Sequence, residues 1–407
     1  MRRVVVIGAG AAGTMAAIFA ATAGAETVLL ERTRDGGRKI LISGGGRCNV
    51  LPSELDVSRF VTDSSPNTLR KMVRSWPLAE QIAFFEQDVG VPLVEEPQSR
   101  KLFPASHKAR DVRDGLLALA RRRGATILSD TQVTDVSPNG TGWAVACTGA
   151  PAVEADAVII ATGGLSVPMT GSDGTGLRVL ERLGHTIHTT YAALTPLVAS
   201  PPPYASLSGV SLPVTLTATS GAREATATGG FLFTHIGYSG PSVLDVSHVV
   251  VRSRAEREEP PARVAVRWTS LGEAEWSERL QPRGTRTVMG ALRAELPDRL
   301  AAALIATASV APDRTLSELQ RDERLRLIEM LVRGPLPWTS DEGYKKAEVT
   351  GGGVSLAEID PRTMESRRCP GLYLCGEVLD AFGPIGGYNF LWAWATGRAA
   401  GLGAARS

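Results

Sequence analysis

Three glycines near the N-terminus have the spacing of a dinucleotide-binding turn. Gly8, Gly10 and Gly13 fit the pattern G-x-G-x-x-G, directly after the apolar run at residues 3–7 and at the start of an alanine-rich stretch. The first glycine permits a tight turn, the second lets a pyrophosphate approach the backbone, and the third allows helix and strand to touch. Free N–H groups at the helix start bind the anion. We predict that Gly8, Gly10, Ala12 and Gly13 hold a dinucleotide.

An acidic residue ends the next apolar run. Glu31 follows the sequence TVLL at residues 27–30. Its carboxylate is placed to bind both hydroxyls of an adenosine ribose, and it would repel a 2′-phosphate. The neighbouring Arg32 is included in the predicted cofactor site. These residues do not separate FAD from NAD, because both contain adenosine diphosphate.

Two later glycine-rich segments extend the predicted site. One follows the apolar strand pattern at residues 157–160, and the other surrounds an acidic turn and the start of an alanine-rich helix near the C-terminus. Glu377 could accept hydrogen bonds from ribityl hydroxyls, and the last glycine pair with the N–H groups that follow it could face a flavin pyrimidine. The predicted residues are Thr162, Gly163, Gly164, Gly376, Glu377, Gly386, Gly387, Tyr388, Asn389 and Phe390.

Two residues could carry protons. The polar, glycine-rich segment at 234–241 contains His235 and Tyr238, and a histidine or tyrosine can protonate a substrate that receives a hydride. The same segment also fits a turn that docks one domain on another. A helix N-terminus at Gly386-Gly387 favours negative charge on a reduced flavin, which indicates reduction of a carbon–carbon double bond conjugated to a carbonyl.

Other chemistries are disfavoured by residue types and spacing. The four cysteines, Cys48, Cys147, Cys369 and Cys375, are too scattered for a disulfide scaffold or a paired redox site. The five histidines lack metal-ligand spacing with the cysteines, so we predict no metal.

Charge and composition limit the classes of partner. The chain has 44 Lys+Arg against 42 Asp+Glu, a formal charge of +2, so no overall field attracts nucleic acid or membrane. A basic cluster at Arg100, Lys101, His107, Lys108, Arg110, Arg113 and 121–123 could contact RNA phosphates, although a solvated helix face explains most of it. We expect a cytoplasmic protein with no membrane span, acting on a small molecule or on a nucleobase in RNA; the oligomeric state stays open.

The elements that position these residues follow from hydrophobic periodicity. Strand, helix and strand are expected over 3–31, a long loop over 36–49, an amphipathic helix over 108–123, and strands up to residue 160. Composition changes near Leu194, where proline-rich and alternating patterns begin, and again near 345, so the inserted segment spans roughly 191–345. The predicted fold is α/β, with a Rossmann-like dinucleotide-binding domain made of 1–190 and 346–407 and an inserted domain at 191–345 that contains strands and helices.

The chain resembles a family of bacterial flavoproteins described as HI0933-like or aminoacetone-oxidase-like. The likeness is carried by GRKILISGGGRCN at 37–49, FLFTHIGYSGPSVLDVS at 231–247 and GEVLDAFGPIGGYNFLWAWATGRAAG at 376–401, and it covers most of the chain. It implies an FAD-binding domain built from 1–190 and 346–407 and interrupted by a β-barrel-like plus helical insert at 191–345. It also implies FAD as cofactor, with Gly45, Gly46, Arg47 and Asn49 along it and the backbone of Val133 at the adenine. Lys39 and Arg47 are expected to clamp phosphate, with catalytic electrophile as the alternative.

The family resemblance leaves the reaction open, because its members are associated with amine oxidation and with reduction of enone-type double bonds in steroid-like or pyrimidine substrates. We expect an FAD-dependent oxidoreductase that transfers hydride to a conjugated double bond; the reductant stays open, with NAD(P)H as a candidate that no second dinucleotide motif supports. The alternatives are an amine or alcohol oxidase that uses oxygen, and a flavin-binding sensor or RNA- or protein-binding module without turnover.

Overall fold

The computed structural model describes residues 1–406 and divides the chain into two compact units. The first unit combines residues 1–192 with the C-terminal segment that starts at Glu348, and the second is Ala193–Ala347. These boundaries lie within two residues of those predicted at 190/191 and 345/346. Each unit has its own hydrophobic core.

The N-terminal segment of the first unit alternates strands and helices, as its periodicity indicates. Its strands are β1 (Arg3–Ile7), β2 (Glu26–Leu30), β3 (Leu51–Pro52), β4 (Leu93–Glu96), β5 (Lys101–Pro104), β6 (Thr126–Leu128), β7 (Val133–Asn139), β8 (Gly142–Cys147), β9 (Ala150–Ala155), β10 (Ala157–Ile160) and β11 (Ile187–Ala193). Its helices are α1 (Ala11–Thr22), α2 (Arg38–Ile42), α3 (Pro66–Val73), α4 (Leu78–Ala83), α5 (Ala109–Arg122) and α6 (Thr175–Arg182). The expected loop at 36–49 thus contains a short helix, α2, followed by a tight turn over Ser43–Gly46.

The second unit is an antiparallel sheet with helices. Its strands are β12 (Leu197–Val198), β13 (Ser211–Ser220), β14 (Arg223–Phe233), β15 (Gly237–Ser239), β16 (Arg263–Arg267), β17 (Gly334–Pro335) and β18 (Ser340–Asp341), and its helices are α7 (Pro241–Ala255), α8 (Glu273–Arg279), α9 (Val288–Leu292), α10 (Asp298–Thr307) and α11 (Arg321–Arg333). We expected a barrel-like element here, whereas the structure has a seven-stranded open sheet with β17 and β18 at its edges. Strand β13 alternates buried and outward residues, as a sheet with one covered face requires.

The C-terminal segment contributes β19 (Val349–Val354), β20 (Leu372–Leu374) and α12 (Tyr388–Arg406) to the first unit. The central sheet is parallel, in the order β20-β10-β1-β2-β6. Strand β20 pairs with β10 through Val158 and Leu372, so residues from both ends of the chain share one sheet. Strands β1 and β10 are almost entirely buried, which explains their continuous apolar sequence.

Helices α1 and α12 pack with their backbones in close contact. A Cβ atom placed on Gly397 would lie 2.4 Å from the carbonyl oxygen of Ala12, and one on Gly401 would lie 2.3 Å from that of Ala16. Only glycine fits at these two crossings. The packing brings the N-termini of α1 and α12 to the same edge of the parallel sheet.

Candidate functional site: a dinucleotide cavity at the edge of the parallel sheet

A cavity of about 470 Å³ opens at the carboxyl ends of the parallel strands. Ile7, Leu30 and Ile160 reach it from the ends of β1, β2 and β10, and Cys375 reaches it just after β20. Ligands of open parallel sheets bind at this edge, beyond the carboxyl ends of the strands. The volume is within the usual range of small-molecule sites, roughly 300–1,000 Å³.

The turn between β1 and α1 forms one wall of the cavity. Gly8 has φ +100°, which glycine adopts readily, and a Cβ atom on it would lie 2.7 Å from the carbonyl oxygen of Ala161. A Cβ atom on Gly13 would lie 1.8 Å from the carbonyl oxygen of Gly8, so helix and strand touch there. Gly10 precedes α1, lines the cavity and has no atom within 4 Å of its Cβ position. The missing side chain of Gly10 therefore leaves room at a helix N-terminus, where an anion such as a pyrophosphate binds.

Glu31 lies in the cavity wall, 8% exposed. One carboxylate oxygen accepts a hydrogen bond from Ala9 N at 2.8 Å, and the other accepts from Thr33 N at 2.8 Å and from Thr33 Oγ1 at 2.6 Å. These donors fix the carboxylate beside the glycine turn. Arg32 turns to an ion pair with Asp173, so its guanidinium is already neutralised.

Lys39 and Glu377 form an ion pair that joins the two ends of the chain. Lys39 Nζ lies 2.6 Å from Glu377 Oε2 and 2.6 Å from Ser166 Oγ. The other oxygen of Glu377 accepts from Ser166 Oγ at 2.6 Å and from Thr350 N at 2.9 Å. Two of the three N–H groups of Lys39 therefore donate to protein atoms. Of the two carboxylate oxygens of Glu377, Oε2 is the one that can accept a further hydrogen bond.

The segment at 43–49 borders the cavity and contains consecutive residues with left-handed backbone conformation. Gly44, Gly45 and Gly46 all have positive φ. The Arg47 guanidinium pairs with Glu96 at 3.0 Å and lies over the Phe103 ring, 4.3 Å from its centre. Arg47 is therefore held by protein groups of its own rather than left free to clamp a phosphate.

Asn49 links this segment to the start of α12. In the amide orientation that satisfies both of its groups, Asn49 accepts a hydrogen bond from Gly387 N at 3.0 Å and donates one to Leu51 O at 3.2 Å. A Cβ atom on Gly387 would lie 2.4 Å from the carbonyl carbon of Leu51. The two glycine-rich segments predicted from the sequence thus meet at the same end of the cavity.

Most predicted cofactor residues line the cavity. They are Gly8, Gly10, Ala12, Glu31, Arg32, Lys39, Gly45, Arg47, Asn49, Val133, Thr162, Gly163, Gly376, Glu377, Gly386, Gly387, Asn389 and Phe390. The other four, Gly13, Gly46, Gly164 and Tyr388, do not line it.

Two of those four pack inside the protein. A Cβ atom on Gly164 would lie 2.4 Å from Thr350 Oγ1, so this glycine makes room for the hydroxyl beside Glu377. The Tyr388 ring is 5% exposed and packs against Phe60, with ring centres 5.6 Å apart, and its hydroxyl donates to Glu54 O at 3.3 Å. The side chain of Tyr388 therefore supports the start of α12 from behind.

Several lining residues were missed by the sequence reasoning. They include Ser43, Lys101, Phe103, Thr131, Gln132, Asp173, Glu348 and Trp392. Thr131 and Gln132 immediately precede Val133, which the family resemblance indicates as an adenine contact. Their place in the cavity could therefore have been predicted from the same resemblance. In the sequence, Lys101 belongs to a predicted basic surface cluster. In the structure, β5 pairs with β3, which begins two residues after Asn49, and this pairing brings Lys101 to the cavity.

The second unit holds the two proton-donor candidates in different environments. His235 is exposed on the turn between β14 and β15. Tyr238 is 1% exposed, and its ring packs against Phe231 and Phe233. Among residues 1–406 its hydroxyl has no hydrogen-bond partner, and burial raises the pKa of Tyr238 above its usual value. The structure thus places Tyr238 in the core of this unit, contrary to the expectation that the turn presents its hydroxyl.

The cysteines and histidines form no further reactive centre in the described part of the chain. All four cysteines are free, and burial raises the pKa of the Cys48 thiol to about 12. His185 is buried between Leu180 O and Ser366 Oγ. Residues 1–406 contain no cluster of three or more metal-ligating side chains, and no helix among them is long and apolar enough to cross a membrane.

The family model described as the HI0933-like protein Rossmann domain matches residues 2–403. The chain belongs to this family. It is 32% identical to the ribosomal RNA dihydrouridine synthase of Escherichia coli, over 96% of this chain and 95% of the relative. It is also 32% identical to the 3-dehydro-bile acid delta(4,6)-reductase of Clostridium scindens, over 100% of this chain and 99% of the relative.

A solved structure shares the fold. The 3-ketosteroid delta1-dehydrogenase of Sterolibacterium denitrificans has a TM-score of 0.51 and 13% identity, with 98% of each chain covered. The shared fold confirms the predicted Rossmann-type α/β architecture. The family and its relatives confirm the class of the protein, an FAD-dependent oxidoreductase. The cavity fits FAD through the open space at Gly10, the fixed carboxylate of Glu31 and the two helix N-termini at one sheet edge.

Proposed function

We propose that this protein reduces a carbon–carbon double bond conjugated to a carbonyl group, with NAD(P)H as the source of electrons. The observation that carries the proposal is that two relatives matching over the whole chain are named for reductions of this type, one giving dihydrouridine and one acting on a delta(4,6) bile acid. Uracil and a dienone have different shapes, but both contain a double bond next to a carbonyl. We therefore assign the chemistry that the two relatives' names have in common to the cavity of this chain.

The cavity residues divide into two groups by position. The Gly8–Gly13 turn and Glu31 would hold the adenosine diphosphate, and the segments at 43–49 and 386–390 would hold the flavin ring. When bound, FAD supplies a two-electron hydride donor. The N-terminus of α12 places positive partial charge at the ring end, where negative charge develops during the reaction.

The reaction also needs a proton for the α-carbon of the substrate. His235 is the better candidate of the two, because its side chain is exposed. Tyr238 is enclosed by Phe231, Phe233 and Tyr204, which leaves its hydroxyl without access to a substrate. We therefore propose His235 as general acid.

The substrate is proposed to be either a uracil base within RNA or a small enone. The basic cluster expected to contact RNA is partly used by the protein: Arg113 is 7% exposed and donates to Asp35 O, and Arg123 pairs with Asp88. This leaves a smaller basic surface than the sequence indicates. An RNA substrate would then be held by local contacts rather than by a broad charged face.

The test measures the two half-reactions separately. FAD-loaded protein is reduced anaerobically with NADPH or NADH and then mixed with a 4-en-3-one steroid, with uridine, or with unmodified ribosomal RNA. We expect reoxidation by one of these acceptors. His235→Gln should slow that step by about 10²–10⁴, the range for general acid catalysis, while Tyr238→Phe should leave it unchanged within about twofold.

Two results would contradict the proposal. Peroxide production from an amine, with no reoxidation by any of the acceptors, would instead indicate an oxidase. Equal rates for wild type and His235→Gln would remove His235 from the mechanism.

A further inference from the structure

Lys101 is a cationic side chain in the cavity that the cofactor motifs do not include. It is the first residue of β5, opposite Pro52 on β3 and Glu96 on β4. Its Cε atom lies 3.7 Å from the Cβ position of Gly386. Lys101 therefore extends over the glycine turn that precedes α12, at the end of the cavity where the flavin ring is proposed to lie.

The ammonium group of Lys101 is attracted by the charge of Glu96 but forms no direct ion pair with it. Among residues 1–406, Lys101 forms no ion pair, in contrast to Arg32, Lys39 and Arg47, which all line the same cavity and all have a carboxylate partner. Glu96, its neighbour across the strands, is held by Ser99 and Arg47. The Ser99 hydrogen bond, then that of Arg47, and the charge of Lys101 all lower the pKa of Glu96.

Positive charge therefore accumulates at this end of the cavity. The Cε atom that carries the ammonium of Lys101 lies beside Gly386, and the 19-residue helix α12 begins directly after Gly387. A partly buried cation with no partner is costly unless a ligand supplies the negative charge. An arrangement of this kind stabilises charge that develops in a transition state.

We propose that Lys101 binds the carbonyl oxygen of the substrate and stabilises the enolate formed during reduction. The inference rests on the proposed function. Hydride adds to the β-carbon, the electrons of the double bond move onto the carbonyl oxygen, and that oxygen accepts a hydrogen bond from the ammonium of Lys101. The enolate then collapses as the α-carbon takes a proton from the general acid, so the substrate gains one hydride and one proton, and Lys101 keeps its own.

The test uses Lys101→Met, which keeps an unbranched side chain one atom shorter and removes its charge, together with Lys101→Arg. Lys71→Met, an exposed lysine on α3, is the matched control. In FAD-loaded protein we expect Lys101→Met to slow reoxidation by the enone or uracil acceptor by about 10²–10³, the loss typical for one oxyanion donor. Lys101→Arg should recover most of that rate, and Lys71→Met should match wild type.

Reoxidation by ferricyanide separates action on the substrate from action on the cofactor. Ferricyanide has no carbonyl group, so its rate and the FAD dissociation constant should stay within about threefold of wild type in Lys101→Met. An equal slowing with ferricyanide, or a shifted flavin midpoint potential, would show that Lys101 acts on the cofactor and would overturn the proposal. Unchanged reoxidation by the carbonyl acceptor would overturn it as well.

A binding measurement keeps this inference separate from the proposed function. A phenolate such as 4-chlorophenolate resembles an enolate, and its stacking on oxidised flavin is seen as a long-wavelength absorption band. We expect its dissociation constant to rise at least tenfold in Lys101→Met and to be restored in Lys101→Arg. If phenolate binding depends on Lys101 in this way but no acceptor reoxidises the reduced flavin, the proposed reaction is wrong and the anion site at Lys101 is retained. Equal phenolate binding by wild type and Lys101→Met would refute the anion site.

Discussion

Replacing Gly10 should remove FAD binding without weakening the fold, whereas replacing Gly13 should weaken the fold itself. The backbone of Gly10 has φ −76° and ψ −168°, which any residue adopts, and its Cβ position has no atom within 4 Å. Valine at this position would extend into the cavity, over the helix N-terminus. The unfolding free energy of the FAD-free protein should change by about 1 kcal/mol or less, the usual range for a changed N-cap.

The loss of FAD affinity in Gly10→Val follows from the contacts that valine would block. A pyrophosphate held by two backbone N–H groups gains about 1.5–3 kcal/mol from each charged hydrogen bond, so the loss should be about 3–6 kcal/mol. This corresponds to a dissociation constant weaker by about 10²–10⁴. Fluorescence titration of FAD-free protein with FAD measures it directly.

Gly13→Ala provides the contrast. Its Cβ atom would lie 1.8 Å from the carbonyl oxygen of Gly8, so α1 must move away from β1. Overpacking of this kind costs about 3 kcal/mol or more, which lowers the melting temperature of a unit of this size by about 6–12 °C. Full FAD retention in Gly10→Val, or a melting temperature lowered equally in both FAD-free variants, would refute the reasoning.

Two further predictions concern assembly and pH. A fragment of residues 1–190 should fail to fold or bind FAD, because β20 and α12 complete its sheet and cover α1; a soluble, FAD-binding fragment would contradict this, and co-expression with 346–407 is the control. Burial lowers the pKa of His248 to about 4, below its unfolded value of about 6.5, so the folded state favours the neutral ring. Stability should be fully present above pH 6.5 and fall by up to about 3 kcal/mol as pH drops towards 4. Urea unfolding of wild type and His248→Asn across this range should show a smaller loss in the variant, and identical pH profiles would exclude His248 as the cause.

Features that depend on neighbouring residues were readable from the sequence. The β1–α1 turn with Gly8 and Gly13, the acidic end of β2, and helix α5 are set by spacing over a few residues, because strand and helix periodicity and glycine conformation are local properties. The order of the glycine motifs also indicated that both chain ends form one domain, and the pairing of β10 with β20 agrees with this.

Only the tertiary structure decided which charged and aromatic side chains are free to act. Lys39 and Glu377 are 338 positions apart, and their ion pair depends on where α2 and the turn after β20 meet. Lys101 reaches the cavity because β5 pairs beside β3, whereas the adjacent Arg100 turns to Glu54. Tyr238 is enclosed by aromatic rings from other positions of its sheet, which hydrophobic pattern alone did not reveal. Such contacts join residues distant in sequence, and their geometry is fixed only when the sheets and helices pack together.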